Sequence, residues 1–204
     1  MAPIARGPIE VLPPVVVRAG WEVSGHRSGS ALRLADHSPL TKVAVRARPD
    51  GAVADALGVP FGRARREKDG TLLVGSGPGE WLLLAAPSTD VNVDAAGDDG
   101  LVTVLDLTHG RALLRLTGRS AARLLAKVCA VDLADAVTPD GAAFRSSVAT
   151  LTTDVVRDDV DGVRSYLLHC ERSSGQFLYD ALLDAGREFG IEPDGFHHSE
   201  GTAS

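Results

Sequence analysis

Twice in its second half, the chain sets two apolar or alternating runs ahead of a stretch with helical spacing. Residues 102–107 and 111–117 flank the turn Thr108-His109-Gly110, and from Ser120 to Cys129 the apolar positions Ala121, Leu125, Val128 and Cys129 recur at helical intervals. Residues 148–156 and 163–171 then flank Asp158-Asp159-Val160-Asp161-Gly162. A second helix is predicted over 173–189, with Ser173 or Ser174 capping it, an apolar stripe of Phe177, Ala181, Leu182, Ala185 and Phe189, and Gly190 with Pro193 as its stop. A β-β-α order met twice, without residue-level identity between the copies, restricts the chain to an α+β class: antiparallel hairpins with helices on one face.

The first half fits the same class. Residues 1–36, rich in Gly, Pro and Arg, read as an extended N-terminal arm in which Val15 to Val17 can add an edge strand. Residues 37–87 form a first strand and hairpin layer. Within it, 41–48 alternates, with Val43, Val45 and Ala47 on one face and Lys42, Ala44, Arg46 and Arg48 on the other, the period of a half-buried strand. Asp50 is placed to cap a short helix through Leu57, stopped by Gly58 and Pro60. The runs 71–74 and 81–86 make a hairpin around Gly75-Ser76-Gly77-Pro78-Gly79. Residues 88–100 read as an acidic linker, 101–193 as the β-β-α pair, and 194–204, with His197-His198, as a disordered tail.

Composition narrows the function classes. At 204 residues and 44% hydrophobic the chain has material for a sizeable core. A net charge of −6 gives no support for nucleic-acid binding, which depends on neutralising phosphates. No apolar run approaches the roughly 20 residues of a membrane helix, and the first residues lack a signal peptide's apolar region and cleavage site, so a soluble, cytoplasmic chain is expected. Cys129 and Cys170 are too few for a disulfide framework and read as core thiols.

The signatures of common chemistries are missing. No Gly-x-Ser-x-Gly elbow occurs, and the glycine-rich 75–79 segment leads into a strand, whereas a phosphate cradle needs a helix N-terminus there. The six histidines, His109 and His169 among them, are scattered without close metal-ligating partners and read as structural or exposed. Asp98-Asp99 and Asp158-Asp159 sit beside glycine in loops, where aspartate serves turns rather than acid–base chemistry. Asp106 stands out inside an apolar run and needs a hydrogen bond, expected from the Thr108-His109 turn. Trp81 reads as core or interface, with an indole N–H that needs one acceptor. Arg172, at a strand-to-helix junction, is placed either to grip a carboxylate or phosphate or to pair with Glu171 or Asp180.

Several of these segments together resemble a known family. Ser38-Pro39-Leu40, the run from Gly77-Pro78-Gly79-Glu80-Trp81 through Leu84, Asp106-Leu107-Thr108, residues 113–118, 121–125 and 129–133, Thr150, and Glu171-Arg172-Ser173-Ser174 occur in the order found in the gamma subunit of heterotetrameric sarcosine oxidase. The resemblance covers roughly residues 36–193. That family is in turn similar to the folate-binding domain of aminomethyltransferase, the glycine-cleavage T-protein.

The resemblance implies an accessory, non-catalytic gamma subunit of a complex that oxidatively demethylates sarcosine to glycine, formaldehyde or 5,10-methylene-tetrahydrofolate, and hydrogen peroxide. It implies alpha and beta flavoprotein subunits and a small delta subunit as partners. FAD, FMN, NAD and tetrahydrofolate are expected on the alpha and beta partner subunits and none on this chain. Aminomethyltransferase-like enzymes carry a Gly-Gly-x-x-Asp-Asp strand, whereas here Thr150 stands without an adjacent acid pair and Asp154 is a poor replacement. No catalytic or metal site is expected, and Asp106, Thr108 and Arg172 mark a vestigial pocket. The alternatives are a free-standing tetrahydrofolate-binding, aminomethyltransferase-like protein and an α+β binding module for an unrelated ligand. The apolar positions Ile9, Val11, Leu12 and 15–17 in the arm are expected to contact a partner.

Overall fold

Short period-two segments broken by turns build a chain of strands, which a computed structural model describes for residues 3–94 and 100–197. The arm contains β1 (Ala5–Arg6), β2 (Val15–Arg18) and β3 (Trp21–Ser24), a three-stranded sheet in the order β1-β3-β2. β4 (Leu32–Asp36), β5 (Thr41–Arg46), the short helix α1 (Ala52–Leu57), β6 (Ala64–Arg66), β7 (Leu72–Gly77) and β8 (Glu80–Ala85) follow. The second half runs β9 (Thr103–Asp106), β10 (Arg111–Gly118), α2 (Ala121–Val128), β11 (Ala143–Val148), β12 (Leu151–Arg157), β13 (Ser165–Glu171), α3 (Gly175–Gly186) and β14 (Ile191–Asp194).

The larger sheets are six-stranded, β11-β12-β13-β10-β4-β14, and five-stranded, β6-β7-β8-β5-β9. Alternation along β10 and β13 sends Ala112, Leu114, Leu116, Tyr166, Leu168 and Cys170 to one face, where they meet Leu124, Leu125, Leu178 and Leu182 of the two longer helices. The opposite face contributes Leu113, Val156 and Leu167 to a core shared with Leu72, Val74, Leu82 and Leu84 of the five-stranded sheet. Outside that sheet, Val43, Val45, Leu73, Trp81 and Leu83 pack with Val53 and Leu57 of α1. Helices cover one face of the six-stranded sheet, which is the expected α+β arrangement.

Several local expectations are corrected. The segments around Thr108-His109-Gly110 do not pair with each other: β9 joins β5, while β10 lies between β13 and β4. Period two identifies a strand and not its neighbour. β5 is buried on both faces over most of its length, and Lys42 on its nominally polar side is fully buried. β11 carried no sequence signal because the β11–β12 hairpin turns on Ala149-Thr150, both at positive φ (46° and 71°), where glycine or asparagine is usual. Gly51, not Asp50, precedes α1, and Asp50 pairs with Arg48. Phe177 is 55% exposed; the buried face of α3 is Leu178, Tyr179, Leu182 and Ala185.

Of the segment expected as a tail, Asp194 closes β14, which pairs in parallel with β4, and Phe196 is buried beside Trp21 and Val23. Residues 198–204, and 95–99 of the acidic segment with Asp98-Asp99, lie outside the described residues. No helix among the described residues is long and apolar enough to cross a membrane.

Candidate functional site

The chain passes between the two large sheets at residues 37–40 and again at 107–110, and the two crossings are bonded to each other. His37 N–H donates to Leu113 O at 2.8 Å, Leu107 N–H to Lys42 O at 2.8 Å, Lys42 N–H to Thr108 Oγ1 at 3.0 Å and Leu113 N–H to Ser38 Oγ at 3.1 Å. The fully buried Lys42 folds back so that Nζ donates to Ser38 O at 2.6 Å and Leu40 O at 2.8 Å. Burial lowers its pKa to about 8, against the opposing pull of Asp36 and Asp106. Burial pushes the Asp36 carboxyl up, although Ser38 N–H donates to it at 2.8 Å.

The three residues singled out for a vestigial pocket all lie at these crossings. Asp106 Oδ1 accepts the Thr108 N–H at 2.7 Å, the turn partner expected for it, and hydrogen bonding by Thr108 holds its carboxyl below the usual range. Arg172 takes neither Glu171 nor Asp180. Its Nη2 donates to Arg6 O at 2.7 Å and Gly7 O at 3.3 Å, and its Nη1 to His109 O at 3.4 Å, so it ties β1 to the crossing. The His109 ring stacks on Trp21 at 4.7 Å. The polar groups of Asp106, Thr108 and Arg172 thus bind backbone.

A separate cleft of about 260 Å³ opens between the sheets, beside β9. Ala44, Val45, Trp81, Leu82, Leu105 and Leu107 give it apolar walls, and Arg46, Glu80, Arg111, Arg145, Asp154 and His169 its charges and polar atoms. The Trp81 indole N–H finds its acceptor in Val59 O at 2.8 Å. The register of β12 against β13 sets Asp154 opposite His169. Arg145 from β11 donates to both Asp154 oxygens, at 2.6 and 3.1 Å, and His169 Nδ1 lies 3.4 Å from Oδ2.

The electrostatics of this trio fix its protonation. Burial alone would raise the Asp154 carboxyl, but hydrogen bonds from His169 and Arg145 outweigh it and hold the pKa at about 2. Burial pushes the His169 imidazole below its ordinary value despite Asp154, so the ring is neutral at pH 7. Facing a carboxylate, Nδ1 carries the proton, and the buried Nε2, which has no partner, keeps its lone pair. Nε2 is thus an acceptor shut off from solvent within the wall of the cleft.

Asp154 also gives a pH prediction. With a folded pKa of about 2 and an unfolded value of 3.8, it contributes stability that is complete above the unfolded value and lost as pH falls through the folded one. Asp154→Asn should therefore melt lower than the wild type at pH 5, and the gap should close on acidification towards pH 2, by at most about 2 kcal/mol. Thermal melts of both proteins across that range check it, and parallel curves would contradict it.

Reading the sequence by residue type missed the Arg145–Asp154–His169 trio. A signal was present: extending an antiparallel register outward from the turn at 158–162 sets 154 against 169. Among the described residues, no group of three or more His, Cys, Asp or Glu is placed to hold a metal.

Comparison with known proteins adds relatives to this geometry. Residues 72–201 match the GCVT N-terminal domain family. The sarcosine oxidase subunit gamma of Corynebacterium sp. (strain U-96) is 30% identical over 179 residues, covering 82% of this chain and 84% of that protein. The subunit gamma of Corynebacterium sp. (strain P-1) is 28% identical over 200 residues, covering 93% and 94%. In structure, the chain is similar to a chain of the heterotetrameric sarcosine oxidase from Corynebacterium sp. U-96, solved in complex with pyrrole 2-carboxylate, with TM-score 0.66 and 26% identity over 82% of this chain and 90% of that one.

Proposed function

Because the chain belongs to the GCVT N-terminal domain family and, within it, to the sarcosine oxidase gamma subunits, we propose that it is the accessory subunit of a heterotetrameric sarcosine oxidase. The complex oxidatively demethylates sarcosine: with oxygen and water it yields glycine, formaldehyde and hydrogen peroxide, or it passes the one-carbon unit to tetrahydrofolate as 5,10-methylene-tetrahydrofolate. FAD, FMN, NAD and tetrahydrofolate reside on the alpha and beta partners, and this chain contributes no catalytic residue. The observation that carries the reading is the similarity along nearly the full length of the gamma subunits, 94% of one of them. The spent polar groups of Asp106, Thr108 and Arg172 support a structural role for the crossings. The cleft, at about 260 Å³, falls below the roughly 300–1,000 Å³ of sites that enclose a cofactor-sized ligand.

The test is co-expression of the tagged chain with the alpha, beta and delta subunits. The expected result is a yellow complex with sarcosine-dependent peroxide production, and a colourless chain when it is expressed alone. A monodisperse monomer that ignores all three partners would overturn the reading. Submillimolar calorimetric binding of tetrahydrofolate to the isolated chain would replace it with the free-standing folate-binding one.

A further inference from the structure

The small sheet of the arm has an inner and an outer face. In the β2–β3 register Val16 lies opposite Val23, which is buried in the core, while Val15 opposite Ser24 and Val17 opposite Glu22 take the other face. There Val15 is 53% and Val17 55% exposed, and Leu12, just ahead, is 39% exposed. Of the arm positions expected to meet a partner, Ile9 fills the chain's own core instead and Val11 and Val16 are half-buried. The outward apolar set therefore narrows to Leu12, Val15 and Val17.

The charge around this face lacks its counterpart. Residues 3–27 hold three arginines against two glutamates, in a chain whose net charge is −6. Arg6 is matched by Glu22 at 2.9 Å. Arg18, which ends β2, and Arg27, in the segment after β3, are exposed and have neither a hydrogen bond nor an ion pair among the described residues. His197, whose Nε2 lies 3.2 Å from His26 O, feels the same excess. Burial and the charge of Arg27, with a smaller push from Arg18, hold its imidazole below its ordinary value against the pull of Asp194.

An apolar centre with an arginine rim is the anatomy of a protein–protein interface, where arginine is enriched and rim charges select the partner. A second copy of the chain would bring the same guanidinium groups together, whereas a partner with acids at the matching positions supplies the missing charge. We infer that Leu12, Val15 and Val17, rimmed by Arg18 and Arg27, form the surface through which the chain docks on a partner subunit, against an apolar patch edged with Asp or Glu. The inference rests on the reading of the chain as a subunit of a complex and adds to it the surface and the chemistry of contact.

Co-expression with the alpha, beta and delta subunits tests the surface, using the double charge reversal Arg18→Glu/Arg27→Glu, Val17→Asp, and Val160→Lys in the β12–β13 turn as a control. The first two should each weaken association by about tenfold or more, and the control should associate like the wild type. Added salt should weaken the wild-type complex and strengthen that of the charge reversal. Because Arg18 and Arg27 hold no partner within the fold, the free double variant should melt like the wild type, which separates docking from folding. In the wild-type complex the amides of β2 should exchange at least about tenfold more slowly than in the free chain. A complex that forms with unchanged exchange in β2 overturns the surface and leaves the subunit reading standing, even if a variant fails to fold. So does a free chain that pairs with itself or binds anionic phospholipid vesicles and loses that binding in Val17→Asp. No complex at all overturns both.

Discussion

Replacing Asp158 with alanine is expected to cost roughly 3–5 kcal/mol of folding stability, because it strips the shared acceptor from two guanidinium groups that would remain in place. Asp158 Oδ2 accepts from Arg66 Nη2 of β6 at 2.5 Å and from Arg115 Nη2 of β10 at 2.6 Å. Arg115 also donates to Ser165 Oγ at 2.9 Å and to the Asp158 carbonyl at 3.2 Å. One carboxylate therefore joins the five-stranded sheet to the six-stranded one. Asp158 and Arg115 are nearly buried, so water cannot replace the lost partner for Arg115, whereas Arg66 is half exposed and recovers by hydration. That asymmetry puts the expected value nearer the lower figure. For a domain of this size the melting temperature should fall by roughly 6–12 °C, read by circular dichroism against Asp90→Ala, an exposed acid expected to leave it unchanged. A fall no larger than that of Asp90→Ala would mean that Arg115 finds other acceptors.

Asp158 also marks the limit of what the sequence carries. Its position beside Asp159 and ahead of Gly162 read as a turn, and it does sit at one, but the partners that make it matter come from strands 92 and 43 residues away. Arg172 repeats the pattern: the strand-to-helix junction was legible, while its acceptors, Arg6 and Gly7, lie more than 160 residues away. Local periodicity and turn chemistry report what a segment does, and long-range pairing decides what it touches. The β7–β8 hairpin was plain because Gly75 to Gly79 announce it. The β11–β12 hairpin was silent because Ala149 and Thr150 adopt left-handed conformations that their residue types do not advertise. The resemblance to the gamma subunits identified the family although no single segment was diagnostic, since order along the chain survives where individual side chains diverge. It drew attention to Asp106, Thr108 and Arg172 at the crossings and away from the Arg145–Asp154–His169 trio, which holds a buried polar atom without a partner, His169 Nε2.

The second large effect concerns Lys42 and depends on pH. In the folded chain burial holds its pKa at about 8, against 10.5 for an exposed lysine. Between those values the unfolded chain binds more protons than the folded one, so this group makes stability rise with pH. Its relative contribution is complete above the unfolded pKa and is lost as pH falls through the folded one. The difference of about 2.5 pH units corresponds to about 3 kcal/mol between pH 7 and pH 11. Cys170 opposes it, since burial pushes that thiol up to about 11 and a thiolate favours the unfolded chain above its ordinary pKa of 9.0. Tyr179, pushed up to about 12 by burial, acts in the same direction as Cys170, so the wild-type curve alone mixes slopes of opposite sign. Subtracting the curve of Lys42→Met, which retains Cys170, isolates the lysine: the stability of the wild type relative to the variant should rise by about 3 kcal/mol from pH 7 to pH 11. Urea unfolding at four or five pH values gives that difference, and a flat one would mean that Lys42 keeps its proton in the fold, with Ser38 O and Leu40 O offsetting the cost of burial.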